Sequence, residues 1–150
     1  MKKVISILLL LVLAFGVCAC AGTKSSSKAK QGHLGEWRLE RFQWRTEFVQ
    51  GVHFSSARLT VGESGEFEFA LDYEKNNTPH QYGFSGSYTI SGTDLTLKVA
   101  RTKSVDDGQE TNSDVDPARV IEAEFTGDNI TIPLTESDSP YLDQITLVKS

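Results

Sequence analysis

Glu66-Phe67-Glu68-Phe69-Ala70-Leu71-Asp72-Tyr73 decides the fold of this chain. Its odd positions are all apolar or aromatic, and three of its four even positions are acidic, which is the period of a strand with one face buried and one in water. The same rule places Tyr82, Phe84, Gly86, Tyr88 and Ile90 on one face, opposite Gln81, Gly83, Ser85, Ser87 and Thr89. It then sets Leu95, Leu97 and Val99 against Thr96 and Lys98. Gly62-Glu63-Ser64-Gly65 separates an earlier strand, Arg58 to Val61, from the Phe67 strand, and Ser91-Gly92-Thr93-Asp94 makes the next hairpin turn. Both turns carry glycine where a positive φ is expected. Further strands read over Glu36 to Phe42, Val120 to Phe125, Ile130 to Ile132 and Gln144 to Val148, with Gly127-Asp128-Asn129 as a turn. About eight short sequential strands predict an all-β, antiparallel up-and-down barrel, because closure removes the edges that an open sheet exposes.

Two segments break the pattern. Between Gln43 and Ser56 the apolar phase switches from odd (Trp37, Leu39) to even (Phe42, Trp44, Phe48), which implies a bulge, a turn or a lid. Phe42, Trp44, Phe48 and Phe54 are expected either to rim one mouth as an apolar contact surface or to fold back and cap the barrel. Arg101 to Pro117, rich in acidic residues, reads as the one long loop interrupting the meander.

An eight-stranded barrel is just wide enough to be filled by side chains or to hold one small ligand, so its inward rings decide which. Trp37, Phe67, Phe69, Tyr82, Phe84 and Tyr88 are the candidate ligand-binding residues of the interior. The competing expectation is that these same rings pack the interior solid.

Ahead of the strands, Lys2-Lys3 and the apolar stretch Val4 to Val17 form a signal-peptide pattern. The stretch falls short of the roughly 20 residues that a spanning helix needs. Val17-Cys18-Ala19-Cys20 resembles the lipobox of bacterial lipoproteins, which implies cleavage before Cys20 and acylation of that cysteine. Acyl chains anchor through about 0.8 kcal/mol per buried methylene. The resemblance therefore implies a membrane tether, and Ala21, where an inner-membrane protein would carry Asp, implies the outer membrane. The expected organisation is a signal peptide over 1–19, the lipidated Cys20 and a flexible Ser/Lys linker over 20–33, and the barrel over 34–150.

Gly35-Glu36-Trp37 opens the first strand as the Gly-x-Trp element opens lipocalins. Phe84 to Leu97, with Gly86-x-Tyr88-x-Ile90-x-Gly92-x-x-Leu95-x-Leu97, resembles the corresponding hairpin of small bacterial lipocalin-like lipoproteins. The resemblance covers most of 34–148 and implies a non-enzymatic envelope barrel that binds a small apolar ligand or an envelope protein. Lipocalins also stack a basic residue on the strand-one tryptophan, and the sequence leaves that residue open.

Charge and chemistry exclude other classes. Five of the fifteen basic residues precede Gln31, which leaves the domain ten against twenty acidic residues. So acidic a domain repels phosphate backbones, and no nucleic-acid partner is expected. Both cysteines lie at the cleavage site, so the domain has no disulfide. His33, His53 and His80 share no metal-ligand spacing and read as loop or solvated histidines. No nucleophile elbow occurs around the serines, and the carboxylate pairs Glu66/Glu68 and Glu122/Glu124 read as wet strand faces. The acidic run 106–116 does not match a calcium loop. No enzyme activity, metal or cofactor is expected.

Overall fold

The computed structural model describes residues 32–46 and 49–150, so the signal peptide, Cys20, the linker to Gln31, and Phe48 lie outside the described residues. Residues 33–150 form one compact unit. Its eight strands are β1 (Gly35–Trp44), β2 (Val52–Val61), β3 (Glu66–Lys75), β4 (Thr78–Ser91), β5 (Asp94–Asp106), β6 (Gln109–Phe125), β7 (Asn129–Pro133) and β8 (Leu142–Lys149). Each pairs antiparallel with the next, and β1 pairs with β8, so the sheet closes into the expected up-and-down barrel.

The alternation that predicted the strands also builds the core. Leu59, Phe69, Leu71, Leu95, Leu97, Ile132, Ile145 and Leu147 are almost wholly buried, and each comes from the inward phase of its strand. Their charged neighbours on the opposite phase, such as Glu66, Glu68 and Lys98, are exposed. Burying each such aliphatic or aromatic side chain contributes about 1.5–3 kcal/mol.

Two elements differ from the sequence expectation. Arg101 to Pro117 is not a loop: β5 runs on to Asp106 and β6 begins at Gln109, turning through Asp107 and Gly108, both at positive φ. The hairpin pairs regularly from Arg101 with Asp114 to Asp106 with Gln109. Most of its residues on both faces are exposed or half-exposed, so the apolar-polar alternation that marks a half-buried strand is absent there. Its cross-strand pairs are ionic, Lys103 with Glu110 at 2.9 Å and Arg101 with Asp114 at 3.4 Å. Exposed pairs such as these add little to stability, because water and salt screen them. Lys103 and Asn112 hold the Glu110 carboxyl below its usual range.

Between residues 43 and 56 the phase switch resolves into bulges. Register slips between Leu39 and Arg41 on β1, leaving Glu40 as the extra residue, and again between Phe54 and Ser56 on β2. Each extra residue swaps the face that following side chains take. β2 therefore starts at Val52, ahead of the Arg58 start that a single phase suggests. A third slip, at Ala100 on β5, lies beside Gly86. A Cβ at Gly86 would overlap the Lys98 carbonyl, so only glycine fits where β4 passes this bulge.

Ladder length is uneven around the barrel. β4 and β5 pair at twelve positions, whereas β6 and β7 pair only at Glu124 with Thr131 and Phe125 with Ile130. The stretch of β6 from Asp116 to Ala123 thus faces the β7–β8 connection without a strand ladder.

Candidate functional site

The two ends of the barrel are closed by different chemistry. At the end where His33 enters, the Trp37 indole donates to the His33 carbonyl at 2.9 Å, and its ring meets Phe125 edge-on at 5.8 Å. His33 is buried, which corrects its reading as a solvated histidine. Its Nε2 lies 3.2 Å from the Tyr88 hydroxyl, which in turn donates to the Gly62 carbonyl at 2.8 Å. Burial, with the nearby Glu63 carboxylate, pushes the Tyr88 phenol up. The Lys149 ammonium lies 5.7 Å from the centre of the Trp37 ring, which supplies the basic residue the sequence left open. Fixed sites this well packed leave Trp37 and Tyr88 as parts of a plug.

The middle of the barrel is filled by the other candidate rings. Phe69 and Phe84 pack at 4.6 Å between centres, and Phe67 and Tyr82 each lie 6.1 Å from Phe84. Phe67, Phe69 and Phe84 are at most 3 % exposed. These four are brought together as neighbours on one wall of the barrel, β3 and β4, where Phe69 pairs directly with Phe84.

The far end carries the exposed aromatic surface. Because of the bulges at Glu40 and Ser55, Phe42, Trp44 and Phe54 turn to the inner phase at the mouth. Phe54 lies 5.3 Å from Phe42, 5.5 Å from Trp44 and 5.6 Å from Tyr73, and Tyr73 lies 6.0 Å from Tyr141. Phe42 is 37 % exposed, one of two large apolar side chains so exposed among the described residues. His80 stacks on Tyr73 at 5.2 Å and pairs with Asp106 at 2.6 Å, while Lys75 lies over Tyr141. Burial, then Tyr141 and Asp106, raise the Tyr73 phenol. The result is a continuous aromatic rim with a charged border, in which Phe42 meets water while Trp44 and Phe54 pack back against the core.

Across this mouth runs a strap, residues 134–141, between β7 and β8. The Asp138 carboxylate is fully buried and accepts four donors: the Arg119 guanidinium, the Tyr82 hydroxyl at 3.2 Å, and the Thr135 amide and hydroxyl at 2.9 and 2.7 Å. Arg45 holds the strap's flanks, donating to the Leu134 and Leu142 carbonyls at 2.8 Å and pairing with Asp143 at 2.8 Å. Of these residues sequence reasoning assigned a role to Tyr82 alone. Thr135-x-x-Asp138 is the one local signal that points to them, since this spacing lets an acid reach back to the Thr amide.

Burial, and next the charge of Asp138, push the Tyr82 phenol up to about 12. The native state therefore keeps this proton to higher pH than the unfolded chain, whose tyrosines titrate near 10. The contribution is intact below pH 10 and is lost as pH rises toward 12. After discounting for the half-exposed ring it amounts to about 1 kcal/mol. Tyr82→Phe is expected to flatten the fall in stability over that window. An unchanged fall in chemical-denaturation midpoints from pH 10 to 12 would show that another group carries it.

A cleft of about 770 Å³ lies elsewhere, on the outer face of β3 to β5, lined by Glu66, Glu68, Ser85, Ser87 and Arg101. Phe67 is the one inward candidate ring that reaches its lining. No group of three or more His, Cys, Asp or Glu gathers among the described residues.

Fold and site together define a closed eight-stranded meander barrel with a plugged entry end and an aromatic, strapped far end. The chain matches no family model and no curated protein sequence.

Proposed function

We propose that this chain is a non-enzymatic lipoprotein of the bacterial outer membrane, tethered through Cys20, that binds a small apolar molecule or an envelope protein at the aromatic far end of its barrel. The observation that carries the binding reading is the continuous rim of Phe42, Trp44, Phe54, Tyr73 and Tyr141 with Phe42 in water. Clustered rings with an exposed face are the usual material of apolar recognition. Support for the lipocalin-like reading comes from the Gly35-x-Trp37 opening and from Lys149 over the Trp37 ring. His33 lies at the plugged end of the barrel, opposite the aromatic mouth.

Native mass spectrometry of residues 33–150, a unit with its own closed core, tests the binding reading. The expected result is a co-purifying small molecule or protein that is lost in Phe42→Asp. A bare apo mass from a cell-envelope preparation would sink it. It would favour instead a structural or stress-response envelope domain, the reading supported by the packing of Phe67, Phe69 and Phe84. For the anchor, Cys20→Ser is expected to move the protein from the membrane to the soluble fraction. A variant that stays with the membrane would refute acylation as the tether.

A further inference from the structure

We propose that the strap 134–141 opens away from β6 as the gate of the barrel, with Arg119 and Asp138 as its latch. This rests on the reading of the far end as a binding mouth and adds how the rings beneath it become accessible.

Three observations converge on the seam. First, β6 and β7 pair at two positions only, so this is where the cylinder has least backbone to break; every other neighbouring pair of strands has at least four paired positions. A ladder this short leaves closure to side chains. Second, the side chains that close it form one cluster: Arg119 from β6 reaches across to Asp138 and Thr135 of the strap. Breaking the Arg119 contacts frees the strap side, while β6 stays on β5 through the pairs from Val99 with Arg119 to Asp94 with Glu124. Third, the latch is imperfect. The Nε atoms of Arg119 and Arg45 are buried without a hydrogen-bond partner among the described residues, and Val120 beside the latch is 51 % exposed. A buried donor left unmade weakens the closed state relative to a fully satisfied one.

What lies behind the latch gives opening a purpose. The Arg119 guanidinium sits over the Phe84 ring, with 5.9 Å to its centre, and Tyr82 donates to the same Asp138. Lifting the strap takes Asp138 from both Tyr82 and Arg119, which leaves the Arg119 side chain free to swing off Phe84. Tyr141, part of the aromatic rim, is carried on the strap itself, so gate and rim move as one. Arg45 fixes the strap's two ends, to Leu134 at one side and Leu142 with Asp143 at the other. It thereby acts as the hinge.

Hydrogen exchange of the full-length chain tests this without reference to any ligand. In the closed state the strap amides are bonded: Leu134 to Asp143, Asp138 and Ser139 to Thr135, and Leu142 to the Ser139 hydroxyl. The peptide covering 134–142 is expected to exchange at least tenfold faster than those covering Phe67–Leu71 and Leu95–Val99. Arg119→Met should accelerate the strap peptide by a further tenfold or more and leave the β3 and β5 peptides unchanged, since β5 keeps its pairing with 119–123. Arg119→Lys, which keeps the charge without the planar fork, should give the same split to a smaller degree if the methionine variant does not fold. The gate is refuted if the strap is as protected as β3 and β5, or if Arg119→Met speeds every peptide alike. These outcomes are independent of whether a molecule co-purifies, so failure of the gate and failure of the binding reading are told apart.

Discussion

Asp138→Ala is expected to lower the unfolding free energy by about 3 kcal/mol, within the range for removing one partner of a buried ion pair. The loss is large because one carboxylate serves four donors. Removing it strands the Arg119 guanidinium, leaves the Tyr82 hydroxyl without an acceptor and frees both Thr135 groups that shape the strap. Arg119 retains 25 % side-chain exposure and can recover some water, which holds the value at the low end of the range. Against a total stability of about 5–15 kcal/mol, the shift is readily measured by urea denaturation. A double variant, Arg119→Met with Asp138→Leu, should recover much of the loss, since replacing both partners with apolar groups removes the uncompensated charge. A cost below about 1 kcal/mol for Asp138→Ala would mean that the cluster adds little to closure.

Trp37→Ala is expected to be at least as damaging, costing about 3–5 kcal/mol through the cavity left by the largest fully buried side chain. Beyond volume, the indole N–H satisfies the His33 carbonyl, and the ring is the surface on which Phe125 and Lys149 rest. Trp37→Phe separates these terms. It keeps most of the apolar body, so a loss of about 1–2 kcal/mol is expected from the stranded carbonyl and the smaller ring. Thermal melts of residues 33–150 read both. Should the two variants prove equally destabilised, the hydrogen bond to His33 and not the ring volume would be what holds the plug.

The strands that were legible are those whose two faces meet different surroundings. Phe67, Phe69 and Leu71 face the core while Glu66 and Glu68 face water, and that contrast is written into the residues. The hairpin 101–114 was illegible because most of both its faces meet solvent, so nothing in its sequence has reason to alternate. His33 was misread for a related reason. Its burial comes from Tyr88 and Phe125, far away in sequence, and no local pattern announces partners brought together by closure. Arg45, Arg119 and Asp138 are the same case: each is an ordinary charged residue until the barrel closes and brings the two arginines against the strap. The inward rings were identified from phase alone, yet phase does not say whether rings surround a void or fill it. Their burial, at most 3 % exposure for Phe67, Phe69 and Phe84, speaks to that.

The bulges at Glu40 and Ser55 act on β1 and β2 as a one-base insertion acts on a gene. On either side of each, the strand is read in different frames, and Phe42, Trp44 and Phe54 reach the mouth only because Glu40 and Ser55 stand outside the ladder. If Glu40 joined the ladder, every residue after it would change face, and Phe42 and Trp44 would turn out into water with every inward residue before it unmoved. Two barrels of the same sequence length, one with this bulge and one without, would therefore share a core and a topology while presenting unlike surfaces at the far end. A change of surface there needs no new side chains, only a change in which residue is left out of pairing.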